Sequence, residues 1–259
     1  MKDVAGERIS YEYDSYRRLR QGTNKEGTIE IKYDSIGRPT EISYPNGHSL
    51  SYGYDSQDKR TFIADNNGYN VTYVYDGRNR LTEIHQSVSG ELIVEYQYNE
   101  RNEVVRKTLG NGAYTTYQYK GRNGQLSEVR NFLPSGEASS YFLYEFDKRG
   151  RLISMTSESG VWTYSYDPNG QLVKWATPEG DATEHTYDSR GNRLVQIRSG
   201  RQESYSTNSV NQYLEFNETE SFFYDANGHL RQKIARGRTE SFVFSAEGRL
   251  VETETPDIR

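Results

Sequence analysis

The 259-residue sequence contains no cysteine, which excludes a disulfide framework, a zinc–thiolate site and a thiol nucleophile. It has no apolar run near the roughly 18 residues that a membrane-spanning helix needs. The first six residues lack the charged and then apolar pattern of a signal peptide. We therefore expect neither a membrane span nor a leader in this sequence.

The sequence also lacks an excess of positive charge. Its 32 Lys and Arg against 37 Asp and Glu give a net charge of −5, with no basic block to bind nucleic acid. Only four histidines are present, His48, His85, His185 and His229, and no two lie within four residues of each other. We expect a structural or solvent role for each, and no metal or cofactor.

Aliphatic residues are scarce, whereas tyrosine is abundant. Leu, Ile, Val and Phe make up about 19% of the residues, under the roughly 20% that usually signals disorder. The 23 tyrosines offset this shortage, because each ring buries apolar area and keeps a polar tip. A folded protein with an aromatic interior is therefore expected.

The tyrosines belong to an internal repeat, in which two aromatic residues flank one other residue and Asp follows. Eleven strict or looser copies are visible, with second aromatics at 13, 33, 54, 75, 98, 119, 146, 166, 187, 224 and 244. The period is about 21 residues, apart from one step of 27 and one of 37. We interpret residues 131–136 as an extended hairpin tip and residues 204–214 as a degenerate unit whose turn is replaced.

Each copy carries two turn signals. The first follows the aromatic pair, as in Asp34 to Gly37, where Asp accepts backbone N–H bonds and Gly supplies a positive φ. The second comes about ten residues later, as at Pro45-Asn46-Gly47. The residues predicted to define the repeat are Tyr13, Asp14, Tyr33, Asp34, Gly37, Tyr54, Asp55, Tyr75, Asp76, Tyr98, Tyr119, Phe146, Asp147, Gly150, Tyr166, Asp167, Gly170, Tyr187, Asp188, Gly191, Tyr224, Asp225 and Gly228.

Two turns per period leave two segments of strand length. The second segment spaces its large residues by three, as in Leu81 and Ile84, which predicts a β-bulge or a twist there. The sequence thus predicts an all-β array of about eleven hairpins, or 22 strands. Residues 1–8 are the N-terminal edge, 9–251 one repeat domain and 252–259 a C-terminal tail. A β-propeller with two periods per blade is the rival fold, disfavoured because neighbouring repeats are equivalent.

The Asp-x-x-Gly-Arg-Leu and Asp-x-x-Gly-Gln-Leu strings at 147–152 and 167–172 resemble the YD repeats of the rearrangement-hotspot (RHS) family. The resemblance covers residues 9–251. The family includes bacterial polymorphic toxins, B and C components of insecticidal toxin complexes, and animal teneurins. It implies a curved or spiralling β-sheet strip that forms part of a hollow shell, and a secreted or cell-surface location. We see no toxin, plug or core region, so we expect a shell segment.

One string resembles a self-cleavage motif of the RHS toxins, Asp167-Pro168-Asn169-Gly170. An aspartyl mechanism needs two carboxylates that share a proton, and no second motif is present. Asp167 also falls in the frame of Asp34, so we interpret it as a turn residue. No nucleophile elbow or phosphate-binding loop occurs, and equivalent hairpins offer no unique cleft for a glycosidase carboxylate pair. We predict that the protein is not an enzyme.

These observations favour a structural segment that builds the wall of a shell around a toxin or other protein cargo. Its implied partners are that cargo and the flanking shell segments of the same parent chain, with no nucleic acid. The alternative is an extracellular carbohydrate-binding or cell-adhesion region, in which tyrosine rings stack on glycans. For any given tyrosine, packing inside the protein is favoured over contact with sugar.

Overall fold

The computed structural model of the chain describes residues 2–4, 7–245 and 248–255. Its regular structure in these residues consists of 25 β-strands, and every pairing with an assigned register is antiparallel. The predicted all-β hairpin array is therefore confirmed. No helix long and apolar enough to cross a bilayer occurs in the described ranges. The chain divides into two compact units, residues 1–141 and 142–259.

Unit 1 holds the first thirteen strands, and each pairs with the next one along the chain. The strands are β1 (Lys2–Val4), β2 (Glu7–Tyr13), β3 (Leu19–Asn24), β4 (Gly27–Tyr33), β5 (Pro39–Ser43), β6 (Ser49–Tyr54), β7 (Arg60–Asp65), β8 (Asn70–Tyr75), β9 (Leu81–Gln86), β10 (Leu92–Tyr98), β11 (Val104–Leu109), β12 (Tyr114–Lys120) and β13 (Gln125–Phe132). Four-stranded blades would interrupt this pairing, so the propeller alternative is excluded.

Unit 2 repeats the same arrangement, and β14 begins just before the boundary between the units. Each strand from β14 onward pairs with its successor. The strands are β14 (Ala138–Phe146), β15 (Leu152–Ser157), β16 (Gly160–Tyr166), β17 (Leu172–Ala176), β18 (Ala182–Tyr187), β19 (Arg193–Arg198), β20 (Arg201–Thr207), β21 (Tyr213–Phe216), β22 (Glu220–Tyr224), β23 (Leu230–Ala235), β24 (Arg238–Phe244) and β25 (Leu250–Glu254).

The predicted bulge is confirmed in the second strand of each hairpin. Tyr75 pairs with Leu81 and Val74 with Glu83, which leaves Thr82 as the extra residue. A register shift occurs at this position in all twelve hairpins from β2–β3 to β24–β25. A bulge increases the local twist of a strand, so the sequence of the repeat introduces the same bend into every hairpin.

The described residues form twelve hairpins, one more than the sequence suggested. The segment interpreted as degenerate forms a complete hairpin, β20–β21. Asn208 opens its turn in place of Asp, and Thr207 stands where other copies carry the second aromatic, so the pattern is hidden in the sequence. The segment at 131–136 lies at the tip of the long strands β13 and β14, as predicted, and Leu133 and Glu137 close the turn.

Within each unit, the hairpins form a single layer with two unlike faces. Alternation places both aromatics of a pair, such as Tyr52 and Tyr54, on one face, here called the aromatic face. The middle residue points to the opposite face, here called the polar face, which carries ion pairs such as Lys32–Glu41. Among the described side chains, the only buried apolar ones are Val71 and Val94. The low aliphatic content therefore corresponds to a sheet without a second layer packed on it.

Paired strands extend past both predicted ends of the repeat domain. In the N-terminal edge, Lys2 of β1 pairs with Ile9, and at the other end β25 continues to Glu254. Residues 1, 5, 6 and 256–259 of the predicted edge and tail lie outside the described residues. The domain limits themselves stay a prediction.

Candidate functional site

The predicted repeat residues lie together along one edge of the sheet, where the aromatic strands end in tight turns. In the turn after β4, the Asp34 side-chain oxygen Oδ1 accepts N–H bonds from Ile36 (3.0 Å) and Arg38 (2.9 Å). The Asp34 carbonyl accepts the Gly37 N–H at 3.2 Å. Gly37 has φ 98°, which closes a type I turn with a following left-handed residue.

The same construction recurs along the edge. Asp or Asn accepts the N–H of the fourth residue on in ten turns, those of Asp14, Asp34, Asp55, Asp76, Asn99, Asp147, Asp167, Asp188, Asn208 and Asp225. The predicted glycines at 37, 150, 170, 191 and 228 all have φ between 82° and 98°. The eleven predicted second aromatics lie at or next to the last residue of their strands.

In several turns, a side chain connects one repeat to the next. Arg38 Nε donates to Asp34 Oδ2 at 2.7 Å, and Arg38 Nη1 donates to the carbonyl of Asp55 in the following turn at 2.8 Å. The Arg38 guanidinium also lies 4.7 Å from the ring centroid of Tyr54. The Tyr54 hydroxyl donates to the carbonyl of Pro39 at 2.8 Å. We call this set of contacts the Asp–Arg–Tyr relay.

Five relays are present in the described residues, and in one of them Lys59 replaces arginine and donates to Asn79 Oδ1 of the next turn in place of a carbonyl. They are Asp14–Arg18–Tyr33, Asp34–Arg38–Tyr54, Asp55–Lys59–Tyr75, Asp76–Arg80–Tyr98 and Asp147–Arg151–Tyr166. Other repeats keep part of the relay with a different side chain. His229 lies 3.1 Å from Asp225 Oδ2, and its ring stacks on Phe244 with centroids 4.9 Å apart.

Hydrogen bonds and burial shift the pKa of groups in the relay. The pKa of Asp34 is lowered mainly by the hydrogen bond from the Arg38 backbone N–H. The Arg38 side chain and the Ile36 N–H lower it further, whereas burial raises it. Burial raises the pKa of the relay tyrosines Tyr75 and Tyr98, so these phenols stay protonated donors at neutral pH. The relay groups are thus occupied in holding repeats together.

At the opposite edge of the sheet, two glycines make close contacts with the neighbouring repeat. Gly110 donates its N–H to the carbonyl of Ile93 at 2.9 Å, and a Cβ atom at this glycine would lie 1.9 Å from the Leu92 carbonyl oxygen. Gly27, with φ 128°, packs on Pro45 of the next turn, where a Cβ would lie 2.5 Å from the proline Cβ. Only glycine fits at these two positions.

The structure places Asp167 in a structural turn. Its Oδ1 accepts the Gln171 N–H at 2.8 Å, as the Asp34 oxygen does with Arg38. The Pro168 carbonyl accepts a bond from Arg149 Nη1 of the previous turn at 2.9 Å. Asp167 and Pro168 therefore serve the same inter-repeat connection as the other turns.

The histidines and the carboxylates outside the turns lie apart from this edge or take part in local pairs. Glu83 and Glu95 are directly opposite each other on neighbouring strands, a placement that the sequence left open. His85 Nε2 lies 2.6 Å from Glu83 Oε2. His185 is buried. Within the described ranges, no three His, Asp or Glu side chains are grouped so that they could hold a metal ion.

The sequence analysis did not identify the basic member of the relay. The signal was available, because Arg or Lys stands four residues after Asp at positions 18, 38, 59, 80 and 151. What the sequence did not show is that this side chain reaches the next repeat, since that contact depends on the register between hairpins.

Comparison with known proteins is consistent with this arrangement. The family described as Teneurin YD-shell matches residues 3–144 and 139–257. The crystal structure of TcdB2-TccC3 has a TM-score of 0.71 at 14% identity and covers 96% of this chain. The Photorhabdus luminescens Tc holotoxin pore, with a mutated TccC3, has a TM-score of 0.70 at 14% identity over 95%. No curated protein matches the chain.

The chain spans 17% of the TcdB2-TccC3 chain and 16% of the holotoxin chain. At these identities the likeness shows a common fold. The family match covers nearly all of the sequence and confirms the resemblance to YD repeats. The chain therefore belongs to the Teneurin YD-shell family.

Proposed function

We propose that the chain is a non-enzymatic segment of the wall of a YD-repeat shell, and that the shell encloses a toxin or other protein cargo. The main supporting observation is the Asp–Arg–Tyr relay, because in five repeats it joins one hairpin to the next at the edge of a single-layered sheet. Such a sheet is suited to enclosing a volume, since it has little interior of its own.

Three further observations support this proposal. The solved relatives include TcdB2-TccC3 with and without a hypervariable C-terminal region. The chain spans only 17% of the TcdB2-TccC3 chain, so the closed wall needs flanking shell segments of the same parent chain. The turn carboxylates are engaged by backbone N–H groups and basic side chains, which leaves them unsuited to acid–base catalysis. A secreted or cell-surface location completes the proposal.

Protease protection of the full-length parent protein tests this function. We expect the cargo region to resist a protease that digests the same region expressed alone. The double variant Arg38→Ala and Arg80→Ala weakens two relays, so it is expected to speed cleavage of the cargo. The matched control is Lys32→Ala, which removes an exposed ion pair on the polar face. If the cargo region were cleaved at the same rate in the full-length protein and alone, the proposed shell function would be refuted.

A glycan-binding array tests the alternative of an adhesion region. No binding is expected, because the relay tyrosines use their rings and hydroxyls within the sheet. Glycan binding that is lost on Tyr69→Ala, a substitution of an exposed ring, would favour adhesion over the wall.

A further inference from the structure

Unit 2 contains a polar row across three strands of the aromatic face. His185 on β18 pairs with Gln196 on β19, and Gln196 pairs with Glu203 on β20. His185 takes the place that Tyr164 fills in the preceding repeat, where the paired residue is Trp175. All three residues of this row are polar, whereas the corresponding row in unit 1 that begins at Tyr73 continues with Ile84 and Val94.

The imidazole in this row is buried without a full set of partners. His185 is only 7% exposed, and its ring centroid lies 6.3 Å from that of Tyr187. Neither His185 Nδ1 nor Arg193 Nε has a hydrogen-bond partner in the described part of the chain, and both atoms are buried. Arg193 Nη1 donates to Gln196 Oε1 at 3.1 Å. A buried polar atom without a partner costs free energy, so this row is a weak point of the sheet.

Among the described residues, the charged groups near His185 do not include a carboxylate placed to pair with its protonated ring. On the neighbouring strand β17, Lys174 lies on the polar face and pairs with Glu184 at 2.7 Å. Glu203 is held by the Gln196 amide at 2.9 Å. The remaining charged or titratable groups on β18, β19 and β20 near this row are Tyr187, Arg193, Arg198, Arg201 and Tyr205. Burial lowers the pKa of His185, and the charge of Arg193 lowers it further.

We propose that β18 to β20 form an acid-labile segment: protonation of the buried His185 puts a second positive charge close to Arg193, and the segment opens. The inference is independent of whether the sheet encloses a cargo. A lowered pKa means that the unfolded state takes up the proton first, so the stabilisation is complete above about pH 6.5 and is lost as pH falls toward the folded-state pKa.

In unit 1, the contribution of His85 to stability changes with pH in the opposite direction. The hydrogen bond from His85 to Glu83 is the main cause that raises the pKa of His85 above its usual 6.5. Its stabilisation is therefore complete below pH 6.5 and is lost as pH rises through the folded-state pKa. Mild acid thus strengthens the β9–β10 pair and weakens β18 to β20.

Hydrogen exchange of the whole chain, measured from pH 7.5 to 5.0 and corrected for intrinsic rates, tests the proposal. We expect protection in β18 to β20 to fall by up to about tenfold for each pH unit below 6.5, while β9 and β10 hold or gain protection. His185→Tyr, which restores the residue type of the other repeats, should abolish the fall. The control His48→Gln changes a half-exposed histidine in unit 1 and should leave the fall unchanged.

An equal loss of protection in both units, or a fall that persists in His185→Tyr, would overturn the proposal. If that variant does not fold, NMR titration of His185 in the unmodified chain decides. A midpoint below 6.5 that moves upward in Arg193→Gln supports the acid-labile segment. A midpoint at or above 6.5 refutes it.

Discussion

The guanidinium carbon of Arg38 lies 4.7 Å from the ring centroid of Tyr54, which belongs to the next repeat. The same arginine also contacts Asp34 of its own turn, so one side chain spans two hairpins. A planar cation is attracted both to the face of a ring and to a carboxylate. The relay therefore supplies side-chain bonding between repeats in addition to the backbone ladder.

Removing the basic member of one relay should weaken unit 1. For Arg38→Ala we expect the melting temperature, measured by circular dichroism, to fall by about 2–5 °C. The control Lys32→Ala removes a side chain that is 64% exposed and should shift it by less than about 1 °C. Equal shifts in the two variants would show that the relay does not contribute.

A glycine in the first turn should stabilise the protein. Arg17 occupies the left-handed position with φ 64°, where the corresponding residue of the second turn is Gly37. Arg17→Gly relieves steric strain and should raise the free energy of unfolding by about 1 kcal/mol in urea titrations. The reciprocal change Gly37→Ala should lower it, and a gain in both variants would contradict this explanation.

The close backbone contact at Gly110 should tolerate no side chain. A Cβ there would lie 1.9 Å from the Leu92 carbonyl oxygen, so Gly110→Ala must move the turn between β11 and β12 away from β10. We expect a loss of about 2–4 kcal/mol in urea unfolding. Gly77→Ala is the matched control, because no heavy atom lies within 4 Å of its added Cβ. A small effect at Gly110 would mean that the edge adjusts easily.

The turn carboxylates should make the fold sensitive to strong acid. The pKa of Asp34, Asp76 and Asp147 is lowered, mainly by a backbone N–H bond from the fourth residue on. Their stabilisation is complete above the ordinary value of 3.8 and is lost as pH falls through the folded-state pKa. Asp34→Asn keeps the Oδ1 acceptor, as Asn99 does, and loses the charge. Urea midpoints between pH 2 and 5 should therefore vary less steeply in this variant, and an unchanged slope would contradict the assignment.

The repeat made much of the fold predictable, because each hairpin is specified by residues within about 21 positions of one another. Alternating aromatics, the Asp to Gly turn and the spacing of Leu81 and Ile84 predicted strands, turns and bulge. The hairpin opened by Asn208 was interpreted only as a degenerate unit, because Asn208 and Thr207 stand in place of Asp and the second aromatic. Asn208 nevertheless accepts the same turn hydrogen bonds as Asp34. The relay and the opposed Glu83 and Glu95 depend on register between strands, which the sequence does not state.

Within each unit, every strand pairs only with strands next to it in sequence. The stability of such an array is approximately a sum over hairpins and their nearest neighbours. Duplication or loss of one hairpin would therefore change the length of the array by one period and leave distant contacts undisturbed. The copy number of the repeat is thus a variable that evolution or design can set independently of the local structure.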